Sequence, residues 1–246
     1  MRIKTLMIML VSMFLAVQVF APSAHATATY SAVTDLTISA TATDVTGVPA
    51  VDVSAEAVGT NFFLDEQAND DATAIAGADG ADGVPVDLLG QSFQLTASVN
   101  GQATNGSAQS TSLNGFDIFL TNLGQTNVDV LLTFDWNQLV AAATQSLGEL
   151  ANAWSVLSLF DNPDNPPVLD LQLPAFGENG SSQSDSSGST LQLSYLLGPG
   201  GQVSLFGSVD AYGGADTTNA VVPEPSTFLL LGAGIAGLAL WRKKRF

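Results

Sequence analysis

The 246-residue chain has no cysteine, and from Thr27 to Val222 it also has no lysine, arginine, histidine or methionine. Each absence removes a class of chemistry. Without cysteine no disulfide forms, even on an oxidising export route, so stability rests on packing or on a bound cation. Without His, Cys or Lys this segment cannot build a Ser-His-Asp triad, a Cys-His or Ser-Lys pair, or a Schiff base. Zinc, copper and iron lose their usual ligands. With no cation, the segment offers nothing to phosphate or nucleic acid, and anionic lipid is repelled. Only carboxylate chemistry stays open, and the expectation is a protein that is not an enzyme.

The charges that are present divide sharply. All six basic residues are terminal: Arg2, Lys4, Arg242, Lys243, Lys244 and Arg245. Of the 23 acidic residues, 22 lie between Thr27 and Val222, and only Glu224 falls outside. The middle therefore carries a formal −22, against −17 for the whole chain. Three regions follow: 1–26, 27–222 and 223–246.

Residues 1–26 have the order of a secretory signal peptide. Arg2 and Lys4 supply the positive start. Leu6 to Phe20 is apolar apart from Ser12 and Gln18. Ala24-His25-Ala26 fits the small-x-small cleavage pattern, which predicts a mature start at Thr27 and implies the secretion translocon and signal peptidase as partners.

The last residues run in a fixed order. Pro223-Glu224-Pro225 is stiff and blocks backward extension of a helix. Phe228 to Trp241 is a run of 14 uncharged residues, short against the roughly 20 that a helical span needs. Arg242 to Arg245 form a basic stop that stays cytoplasmic and leaves the acidic middle outside. Gly232-Ala-Gly234-Ile-Ala-Gly237 spells a dinucleotide fingerprint, but no strand precedes it and no acidic residue follows. Small residues on a membrane helix account for it better.

Val222-Pro223-Glu224-Pro225-Ser226, the Gly-rich apolar run and the basic stop together resemble the PEP-CTERM sorting signal of Gram-negative bacteria. The resemblance covers about the last 25 residues. It implies transient anchoring in the inner membrane, recognition by an exosortase with cleavage near Pro223-Glu224-Pro225, and delivery to the surface of bacteria that make exopolysaccharide.

The middle has the length of one domain. Val, Thr, Phe and Leu punctuated by Gly, Asn, Asp and Ser favour strands and turns. Alternation predicts strands over Ala32–Thr43, Ser92–Asn100, Gly115–Asn122 and Val128–Trp136, with a turn at Leu123–Asn127. Thr34, Leu36, Ile38, Ala40 and Ala42 should face a core, as should Phe93, Leu95, Ala97 and Val99. Leu191–Leu197 and Gln202–Tyr212 read as a late pair around Gly198-Pro199-Gly200-Gly201. Residues 137–160 fit either a helix or a hairpin of two strands turning near Ser146 to Glu149, and the hairpin agrees better with their surroundings. Asp65–Pro85 and Gly177–Ser189 read as loops. The fold class expected is all-β, an antiparallel β-sandwich of jelly-roll or Ig-like type.

Two kinds of binding residue stand out. Asp65, Glu66, Asp70, Asp71, Asp79, Asp82 and Asp87 crowd one segment and form a candidate calcium site, although their spacing is not that of an EF-hand loop. Trp136, Trp154, Tyr30, Tyr195 and Tyr212 are candidate sugar-stacking aromatics. The functional expectation is a surface or matrix protein, structural or adhesive, associated with exopolysaccharide. A non-catalytic carbohydrate-binding module is the alternative, and a carboxylate glycosidase is a third reading.

Overall fold

The computed structural model describes residues 27–80, 83–161 and 165–217. Their regular structure is β throughout: β1 (Ala28–Asp44), β2 (Val53–Ala68), β3 (Ala72–Asp79), β4 (Val86–Asp87), β5 (Phe93–Ala103), β6 (Ser107–Asn122), β7 (Val128–Thr144), β8 (Leu150–Phe160), β9 (Leu169–Glu178), β10 (Ser182–Leu197) and β11 (Gln202–Asp216). Two antiparallel sheets form a sandwich. One has the order β10-β7-β1-β5-β3 and the other β4-β2-β6-β11-β8-β9.

Alternation decides the faces, because successive side chains of a strand point to opposite sides. Along β1, Thr34, Leu36, Ile38, Ala40 and Ala42 are buried, as are Phe93, Leu95, Ala97 and Val99 on β5. Phe116, Ile118 and Leu120 on β6 and Val130, Leu132 and Phe134 on β7 meet them in one continuous core. Each large side chain in that core contributes about 1.5–3 kcal/mol relative to exposure.

Polar pins join the sheets through this core. Tyr30 Oη and Ser110 Oγ are 2.8 Å apart, and Thr34 Oγ1 donates to Asp210 O at 2.8 Å. Asn114 Nδ2 donates to Asp79 O at 2.6 Å. Buried Asn122 gives its amide to Thr126 O, Leu197 O and Gly198 O, which ties two turns together.

Strands run well beyond the stretches that alternation marks. Asp65–Pro85 is not one loop: β2 continues to Ala68 and β3 occupies Ala72–Asp79. Gly177–Ser189 is not a loop either, because β10 begins at Ser182 and pairs with β7 along its length. Both corrections concern edge strands β3 and β10. The polar half of β10 has almost no buried face, so pairing with one neighbour holds it without an apolar signature.

Residues 137–160 are two strands, with the turn at 145–149. They do not pair with each other: β7 and β8 lie in different sheets, and so do β10 and β11. Among the described strands, only β8 and β9 are sequence neighbours that also pair in one sheet. The other connections arch across the sandwich. Hairpin logic fails there because both strands in each case bury a face, and an arch lets both faces meet in one core.

Candidate functional site: the aromatic face of the six-stranded sheet

The two outer faces of the sandwich differ in chemistry. On the five-stranded sheet, carboxylates are held by hydroxyls of the next strand: Thr96 Oγ1 donates to Asp35 Oδ1 at 2.9 Å, Thr190 to Asp135 and Ser194 to Asp129. This is how a segment without cationic side chains satisfies its acids, through hydroxyls and backbone amides in place of ion pairs. Asp44 follows the same rule at the end of β1. Its carboxyl is held below the ordinary carboxylate value, first by the Thr46 hydroxyl and then by the Val48 N–H.

On the six-stranded sheet the outer positions carry rings and amides. Cross-strand register places Thr111, Tyr212, Trp154 and Pro174 in one row over β6, β11, β8 and β9. The adjoining row reads Gln67, Gln109, Gly214, Asn152 and Phe176. Trp154 and Phe176 meet edge to face, with centroids 5.2 Å apart and planes at 85°. Such a pair holds both rings in place beyond their area burial. Farther along, Phe160 and Phe206 stack at 5.2 Å.

The amide row opens into a groove of about 710 Å³, lined by Glu66, Gln67, Gln109, Asn152, Gly214 and Asp216 among others. Gly214 leaves the floor open. A Cβ there would stand 3.1 Å from Asn152 Oδ1. Amide and carboxyl groups beside half-exposed rings can hydrogen-bond hydroxyls while a ring covers an apolar C–H face.

Two carboxyls on this face lie among apolar neighbours. Asp210 stands between Leu113 and Val156 across the ladder. Burial pushes its carboxyl above the ordinary value, and the Ser208 hydroxyl and the Asn114 N–H pull it part of the way back. Its Oδ1 is buried without a hydrogen-bond partner among the described residues. Burial also raises the Tyr212 phenol, and the Asp210 charge adds to it. Asp117 is likewise raised by burial. Asp117 pairs with Phe206 and Asp210 with Leu113, four positions apart on β6. That offset is about 13 Å along the strand, beyond the roughly 5–9.5 Å between the carboxyls of a glycosidase pair.

The acidic residues singled out in the sequence fall on separate elements. Asp65 and Glu66 are on β2, Asp70 and Asp71 in the β2–β3 turn, Asp79 ends β3, and Asp87 is on β4. Asp82 lies outside the described residues. Their oxygens have local partners: Gln67 Nε2 donates to Asp65 at 2.9 Å, Ala76 N to Glu66 at 2.8 Å, Gly80 N to Asp79 at 2.8 Å and Leu89 N to Asp87 at 3.0 Å. Among the described residues, no group of three or more His, Cys, Asp or Glu side chains is placed to hold a metal ion.

The aromatics divide as well. Trp154 and Tyr212 are on the outer face, each partly buried. Tyr30 is buried in the core, and Trp136 and Tyr195 pack against it. These three are corrected to packing residues, because period-2 register turns them inward. Phe176 and the amide row were missed. Only pairing across five strands brings them beside Trp154, and no local pattern encodes that.

Ala24, Ala26, Pro223, Glu224, Pro225 and Arg242 to Arg245 lie outside the described residues. Comparison with protein families decides what the C-terminal ones form. Residues 221–245 are a PEP-CTERM protein-sorting motif. The PEP-CTERM motif implies an exported protein that is processed by an exosortase and associated with the membrane or cell surface. No curated protein and no solved structure is matched by the chain. Among the described residues, no helix is long and apolar enough to cross a membrane.

Proposed function

We propose that the protein is a non-catalytic component of the exopolysaccharide matrix, exported with a signal peptide cut after Ala26, sorted through its PEP-CTERM motif, and bound to neutral polysaccharide by the aromatic face of its β-sandwich. One observation carries this reading: the row Tyr212–Trp154, flanked by Phe176, adjoins an amide-lined groove, while the outward positions described on the opposite sheet carry no aromatic ring. Stacking on rings with hydrogen bonds from amides requires no metal, nucleophile or cation. A segment with a formal charge of −22 repels acidic polymers and leaves neutral glycans unopposed.

The test is affinity electrophoresis of the exported protein through gels containing a neutral β-glucan. Retardation should persist with chelator present. Trp154→Ala should weaken it about tenfold, the equivalent of roughly 1.4 kcal/mol of lost stacking. Unchanged retardation in Trp154→Ala would remove the face from the account. Retardation abolished by chelator would point to cation bridging in place of ring stacking.

A further inference from the structure

Glu149 is fully buried in a segment that has no side-chain cation. Its two oxygens are both engaged. Oε2 accepts the Gln145 N–H and, at 2.9 Å, the Ser146 N–H. Oε1 accepts the N–H of Thr27 at 2.7 Å, from 122 positions away. The turn at 145–149 is itself braced, since Asn179 N donates to Glu149 O at 3.3 Å and Gly148 N to Asn179 Oδ1 at 2.9 Å. Thr27 also directly precedes β1. Ala28, the next residue, is buried in β1 opposite Ala103 and Thr144.

We propose that this carboxylate is a receptor site for the amino terminus released on export, a primary ammonium. The inference rests on cleavage after Ala26. Hydrolysis breaks the Ala26 C–Thr27 N bond and adds one water. Ala26 leaves as a carboxylate, and Thr27 N becomes an amine that takes up a proton. The atom that donates one neutral N–H to Glu149 then carries a positive charge at the same place. A buried carboxylate without a counter-charge is costly, and a paired, fully hydrogen-bonded one is not. The new ammonium is the sole cation within Thr27–Val222, so processing alone can complete this pair. Glu149 also anchors the β7–β8 turn, a role it fills with or without the charge. The test therefore has to vary the charge while keeping the donor.

Two proteins are exported from full-length precursors: the natural sequence, and a variant with one glycine inserted between Ala26 and Thr27. The variant keeps an N–H on Thr27 but moves the ammonium one residue away. Intact mass first fixes each amino terminus. Each protein is then treated with an amine-specific acylating ester, native and in urea, and modification of the amino-terminal peptide is followed by mass spectrometry.

With a start at Thr27, the native amine should react at least about tenfold more slowly than the unfolded one, as expected of a charge-assisted hydrogen bond. The glycine variant should lose that protection and melt about 5 °C lower. Glu149→Gln should also free the amine, and the insertion keeps the test decisive if that variant does not fold. Equal reactivity in native and unfolded protein, with unchanged melting of the variant, overturns the ion pair and leaves the cleavage reading standing. A natural amino terminus other than Thr27 overturns both.

Discussion

Tyr30 packs directly against Gly213: a Cβ on that glycine would stand 2.0 Å from Tyr30 Cδ2 and 2.4 Å from Cε2. The ring fills the space that the missing side chain leaves between the sheets, and its hydroxyl reaches Ser110 Oγ beyond. Gly213→Ala must therefore displace a buried ring and its hydrogen bond. We expect a loss of roughly 3 kcal/mol, read as a drop in the urea midpoint at constant slope. Gly90→Ala, where nothing lies within 4 Å, should be neutral in the same assay.

At Asn122 one side chain holds separate turns. Its amide serves three carbonyls, and its Oδ1 accepts the Gly124 N–H at 2.9 Å. Asn122→Asp keeps the shape but replaces the donor with a buried negative charge facing those carbonyls. The expected cost is about 3 kcal/mol or more by the same denaturation measurement.

The acids on the aromatic face set a pH dependence. Asp210 and Asp117 hold their protons more tightly folded than unfolded. Their contribution is full in acid below the ordinary carboxylate value and is lost as pH rises through the raised values. Asp44, lowered and exposed, acts in the opposite sense and is screened by solvent. Asp210→Asn removes the buried charge. It should raise the melting temperature at neutral pH by about 2–4 °C, with no gain in acid. A gain of equal size at both pH values would contradict this.

The groove gives a steric prediction. Gly214→Leu places a side chain on the floor between Asn152 and Gln109. Glycan retardation should fall at least about tenfold, a loss of roughly 1.4 kcal/mol, while the circular dichroism spectrum stays that of the parent.

Much of this was legible in the chain. Thr34 to Ala42, Phe93 to Val99 and Phe116 to Leu120 alternate strictly, and each buries the face that alternation assigns. The polar tract Ser182–Thr190 was not legible as a strand, because an edge strand with little buried surface leaves no apolar trace. Nor was the sheet to which each strand belongs. Arch and hairpin share the same turn residues, and the choice is made by cores that form between distant segments. For the same reason Trp136 and Trp154 look alike in sequence, although one packs inward and the other lies on the surface. Asn105 and Asn179 match glycosylation acceptors, but both adopt positive φ at connections between strands, where an Asn-Gly pair is a turn signal.

The claim on which the rest depends is that both ends are removed address segments and that the acidic sandwich is what reaches the outside. The stretch from Thr27 to Val222 has no trypsin site. Exported protein, denatured and digested with trypsin, should therefore remain one fragment. Its intact mass should place the start at Thr27 and the end near Pro223-Glu224-Pro225. Recovery of exported protein whose mass still includes Met1 to Ala26 and Arg242 to Phe246 would contradict it.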